Sequence, residues 1–125
     1  MTKTTKAYIA GKVTGLSAGI AARNFRKLEQ SLKKEGLITR NPVARLDRYN
    51  AKRINDGLPP LCDNTHRKEI MGLCILMLSQ CDEIHMLPNW NESEGAIMEH
   101  NFAMKTNMKI VYHLLKEQKN ESHYD

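Results

Sequence analysis

The chain has 125 residues, 41% hydrophobic and 26% charged, and its 19 lysines and arginines against 14 acidic residues give a formal net charge of +5. That length buries one core and is too short for two ordinary domains. No apolar run reaches the eighteen or so residues of a membrane span, the basic residues are dispersed among acidic ones, and aromatics are too few for a base-stacking platform, which argues against membrane insertion and polynucleotide binding.

A small anionic ligand suits the modest positive excess. The start, MTKTTKAYIAG, enters a strand without a hydrophobic leader, so the expected address is cytoplasmic. Cys62, Cys74 and Cys81 form no CxxC pair and sit in or beside apolar stretches, which suits buried free thiols better than disulfides or zinc ligands.

In chain order, Lys6–Ala10 is a short apolar run followed by Gly11, Gly15 and Gly19, a strand leading into a flexible loop. The glycines recur every four residues, which is not the spacing of a dinucleotide fingerprint. Phe25, Leu28 and Leu32 then recur at helical spacing, and the helix stops at Gly36. Leu37–Arg40 is a second strand, closed by Asn41-Pro42. Residues 43–62 lack periodicity and read as a lid, a loop or an oligomer contact, with Tyr49, Arg45, Arg48 and Arg53 as candidate ligand contacts. Asp63 or Asn64 caps a helix running to Gln80. It is apolar nearly all round, so one face is expected on the sheet and the other on a second copy, in a homodimer or higher homo-oligomer.

Glu83–Leu87 alternates and stops at Pro88-Asn89, a further strand. After the loop Pro88–Glu92, Ser93 caps a helix whose first turn holds Glu94, Gly95 and Ala96, a ready anion site. Glu99 falls on the same helical stripe as Ala96 and Ala103, an odd place for a charge because such small residues pack against a sheet. Ile110–His113 is the last strand, followed by a helical, polar tail with a frayed end. This alternation predicts a single-domain α/β fold, flavodoxin-like or Rossmann-like, with a doubly wound parallel sheet. Ligands of such sheets bind beyond the carboxyl ends of the strands, which places Gly11–Gly15 and Pro88–Gly95 on one edge.

Trp90, Ser93, Gly95, Ala96, Glu99 and Ala103 form W-x-x-S-x-G-A-x-x-E-x-x-x-A. This resembles the active-site helix of the nucleoside 2-deoxyribosyltransferase-like family, and looks closest to a branch of small, mostly uncharacterised bacterial and phage proteins. Tyr8–Gly15, YIAGKVTG, is similar to that family's first-strand motif, and Asn41-Pro42 to its turn after the second strand. The resemblance implies that Glu99 attacks C1′ of a nucleoside and that Tyr8, Gly11, Lys12 and Gly15 border the nucleotide. It also implies a homo-oligomer. Ser93 resembles the serine of the nucleotide-hydrolysing branch, which holds a 5′-phosphate where nucleoside-transferring relatives carry an aspartate. A plain N-cap is the alternative for Ser93, though a cap at a helix start is also what phosphate binding needs. Trp90 either stacks on a base or plugs the underside of its loop.

The expected ligand is a nucleoside 5′-monophosphate, with no cofactor and no metal, since His66, His85 and His100 lack ligand spacing. One departure stands out: Cys74 occupies the position where relatives place the acid that protonates the leaving base, with Asp82 and Glu69 as the nearest substitutes. A non-catalytic nucleotide-binding module is therefore the alternative from another class. A phosphoribohydrolase with a P-G-G-x-G-T-x-x-E loop is a further enzyme reading, weakened by Asn89-Trp90 standing in place of the paired glycines.

Overall fold

Strand and helix alternate from the N-terminus in the computed structural model, which describes residues 4–62 and 65–114. The elements are β1 (Lys6–Ala10), α1 (Ala18–Lys34), β2 (Ile38–Arg40), α2 (Pro42–Asn55), α3 (Arg67–Ser79), β3 (Glu83–Met86), α4 (Glu94–Lys105) and β4 (Lys109–Tyr112). All strand pairs are parallel, in the order β2-β1-β3-β4, with Tyr8 opposite Arg40 on one side and Ile84 on the other. Parallel strands between two helical layers must be apolar on both faces, and β1 meets that demand. Its Ala7 and Ile9 pack with Phe25, Leu28 and Leu32 of α1. Its Tyr8 and Ala10 pack on the opposite face with Ile84 and Met86 of β3, Leu78 of α3, and Ala96 and Ala103 of α4. This is the doubly wound α/β domain that the alternation implied.

Local signals set most boundaries. Ser17 caps α1 by accepting from the Ile20 amide at 3.2 Å. Gly36 ends it with φ of 88°, a left-handed turn in which Leu37 N–H reaches the Leu32 carbonyl. Ser93 caps α4 through the Ala96 amide, also at 3.2 Å. At Gly11 the requirement is space: a Cβ there would lie 2.5 Å from Leu87 Cδ1 and 2.9 Å from Leu87 Cβ. Gly11→Ala is therefore expected to destabilise the protein by about 1–3 kcal/mol, as overpacking does. A urea midpoint equal to that of the wild type would show that Leu87 moves aside freely.

The stretch read as an aperiodic lid or loop is helical over most of its length. Asn41 accepts from the amides of Val43 and Ala44 at 3.1 and 3.2 Å, Pro42 starts α2, and Pro42 is its one buried residue. The half-buried Val43, Ala44 and Leu46 stand among the exposed Arg45, Asp47, Arg48 and Tyr49, so the helix is hard to read along the sequence. Beyond Gly57 the chain is irregular to Cys62, and the Asn50 side chain ties it back by bonding the Leu61 amide at 2.8 Å and the Leu61 carbonyl at 3.1 Å.

The next helix starts at Arg67, later than expected; its N-cap is His66, and the anticipated caps Asp63 and Asn64 lie outside the described residues. It buries Ile70 and Leu78 but leaves Leu76 58% exposed. The tail, residues 115–125, also lies outside the described residues. Among the described residues no helix is long and apolar enough to cross a membrane.

Candidate active site

The sheet order reverses direction between β1 and β3, and the loops leaving these two strands diverge to leave a crevice. A pocket of about 670 Å³ occupies it. Gly11, Thr14 and Gly15 border it from the loop after β1, and Ser93, Gly95 and Ala96 from the start of α4. Leu46 and Asp47 of α2 and Ile70, Met71 and Cys74 of α3 form a further wall, and Glu99 also lines the pocket.

Glu99 is only 6% exposed. Ala96 and Ala103, on the same stripe, are small enough to bring α4 close to the sheet, so the carboxyl reaches β1 and accepts a short hydrogen bond from the Tyr8 hydroxyl. Burial raises the Glu99 carboxyl from 4.5 to about 7, with the Tyr8 hydrogen bond opposing the rise. Burial, followed by the proximity of Glu99 and of Cys74, lifts the Tyr8 hydroxyl well above its usual value, so it remains a donor. A carboxyl that is close to half ionised at neutral pH and oriented by one donor is suited to act as a nucleophile. Tyr8 itself is fully buried behind Glu99; it positions the carboxyl rather than bordering a ligand.

Of the other residues singled out from the sequence, Gly11, Gly15, Ser93, Gly95 and Ala96 converge on the pocket. Gly95 makes room for a neighbouring helix: its Cβ would lie 3.3 Å from Met71 Sδ. Lys12 does not line the pocket. Its amide bonds Asn89 Oδ1 and its ammonium pairs with Glu92, each at 3.1 Å, so it ties the two loops together.

Trp90 is also outside the lining. It packs on the core beneath α4, stacked on His100 with ring centroids 4.3 Å apart, and so plugs the underside of its loop. His100 Nε2 meets the Tyr112 hydroxyl at 2.5 Å.

Cys74 does line the pocket, beside Tyr8, but neither carboxylate considered as its substitute is there. Asp82 accepts from the Lys6 amide at 2.9 Å at the far end of β1, and Glu69 is exposed on α3. The acids that do line the pocket besides Glu99 are Asp47, Glu92 and Glu94. Arg67 also lines it, paired with Glu94 at 3.2 Å. Asp47 and Arg67 were missed because nothing in the local pattern marks them; α2 and the start of α3 bring them in.

Tyr49 and Arg45 border a smaller groove of about 160 Å³ between α2 and α3, while Arg53 bonds the Pro59 carbonyl and Lys52 pairs with Asp56. Among the described residues no group of His, Cys, Asp and Glu could hold a metal ion.

A family model described as Domain of unknown function (DUF4406) matches residues 5–112, which takes in every element bordering the pocket. No curated protein matches the chain.

Proposed function

We propose a function for a chain that belongs to the family described as Domain of unknown function (DUF4406): cleavage of the N-glycosidic bond of a (deoxy)nucleoside 5′-monophosphate, as a hydrolase or a deoxyribosyltransferase. The observation that carries this reading is the buried Glu99, which lines the pocket and is held from behind by the Tyr8 hydroxyl. The resemblance of Trp90–Ala103 to the active-site helix of the nucleoside 2-deoxyribosyltransferase-like family supports it.

In this reading the ionised Glu99 attacks C1′ as the C1′–N bond breaks, and the base leaves with its electron pair and a proton. Water, or a second base, then releases the sugar from the glutamyl ester. Asp47 is the pocket acid on the wall away from α4 and is assigned the delivery of the proton. Ser93, the amides at the start of α4 and the Arg67 guanidinium are assigned the phosphate, for which Arg67 exchanges its Glu94 partner. The homo-oligomer belongs to the same proposal, with Leu76 of α3 facing a second copy.

Incubation with a panel of nucleosides and their 5′-monophosphates, with free base as the readout, tests the reading. Release from monophosphates, and much slower release from nucleosides, is expected. Arg67→Ala should weaken monophosphate binding about tenfold and leave nucleoside binding unchanged, as loss of a charge-assisted contact does. Binding of the panel without any release would favour the second reading, a nucleotide-binding module, which Cys74 in the place of an acid already suggests.

A further inference from the structure

On the face of the sheet opposite Tyr8 and Glu99, two buried groups of β3 take no part in this chemistry. His85 Nε2 makes a short contact with the Glu83 carboxylate, and its Nδ1 meets His113 Nε2 at 2.9 Å, with the two rings stacked at 5.2 Å. His113 directly follows β4, the edge strand, and its amide donates to the Met86 carbonyl at 3.0 Å. We propose that Glu83, His85 and His113 form a proton-operated latch that holds the end of β4 on the sheet and, through it, the loop and helix that carry the candidate site.

The hydrogen-bond inventory sets how the latch works. With Glu83 ionised, His85 donates from Nε2, so its Nδ1 accepts and His113 donates. One added proton is accommodated on His85, which then donates from both nitrogens while His113 accepts. A second added proton sets N–H against N–H and breaks the contact. The charged groups facing the pair among the described residues are Glu83 on β3, Lys109 on β4 at 4.0 Å from Glu83, and Glu35 at the end of α1. Burial, then His85, lowers the His113 pKa, and Glu35 opposes the shift. The folded state thus resists this proton: stability is fully present above the ordinary histidine value and falls as pH drops from there towards the lowered one.

The route to the site runs through the neighbouring residue. Tyr112 points to the other face and holds His100, which adjoins Glu99 in sequence and stacks on Trp90. The Trp90 carbonyl in turn accepts from the Ser93 amide at 3.1 Å. Release of the end of β4 loosens this chain of contacts.

Amide hydrogen exchange tests the latch, corrected for intrinsic rates. Protection of the His113 amide in the wild type should fall about tenfold or more between about pH 7 and about pH 5. Emission of Trp90, the single tryptophan, should change over the same interval. In His113→Gln, whose side chain still donates to His85 but does not titrate, protection at position 113 should stay level. Profiles that superimpose for the two proteins would overturn the latch. Should that variant fail to fold, imidazole titration in the wild type by NMR decides the matter. A His113 titration displaced below the ordinary histidine value supports the latch, and titration of His113 at that ordinary value overturns it.

Discussion

Glu99→Gln is expected to lower base release by about a thousandfold or more, the scale of losing a nucleophile, while making the protein more stable in alkaline solution. The two effects have one cause. The Glu99 carboxyl is raised from 4.5 to about 7 because ionising it inside the protein is unfavourable. A raised folded-state value means that the stability Glu99 contributes is fully present below its unfolded value and is lost as pH rises through about 7. Above that pH the wild type carries a penalty of about 3 kcal/mol, to order of magnitude. Glutamine keeps the shape and an acceptor for the Tyr8 hydroxyl but has no proton to lose, so the penalty disappears. Base-release assays, paired with urea denaturation at pH values on either side of 7, read both effects. Wild-type turnover in the variant would remove Glu99 from the chemistry. A variant less stable than the wild type at alkaline pH would show that the carboxylate holds the fold together rather than straining it.

Tyr8→Phe is expected to slow base release at neutral pH about fivefold to fiftyfold, and to move the pH profile towards alkali. The hydroxyl donates to Glu99 and, by favouring the ionised form, opposes the effect of burial. A hydrogen bond to a charged group contributes about 1.5–3 kcal/mol, or roughly one to two pKa units. In the wild type, activity should rise with pH through about 7 as the nucleophile ionises. In the variant the same rise should come one to two units later and approach a similar plateau. A profile that keeps its midpoint but loses height would mean that Tyr8 contributes packing alone, since Tyr8 is fully buried in the core.

Much of this protein is legible in its sequence because the signals concerned are local. The apolar run Lys6–Ala10, the stripe Phe25, Leu28 and Leu32, and the cap at Ser93 act through neighbours a few residues away, so their elements form where the pattern places them. Their order then leaves few topologies, and the parallel doubly wound sheet follows. Glu99 was also visible, since a carboxylate between Ala96 and Ala103 breaks the rule for a helix face turned to a sheet.

Only the tertiary structure decided the rest, because those features arise from distant segments brought together. Asn41 and Pro42 start α2, but its Asp47 became a pocket residue only once the chain had folded and brought the helix beside the loops after β1 and β3. Lys12 is expected from the resemblance to border the nucleotide, yet Glu92, far along the chain, holds its ammonium, and Arg67 lines the pocket instead. Tyr8 looked like a ligand contact; the approach of α4 turned it into the donor that orients Glu99. The union of Glu83 and His85 with His113 rests on the pairing of β3 with β4, which no spacing along the chain announces.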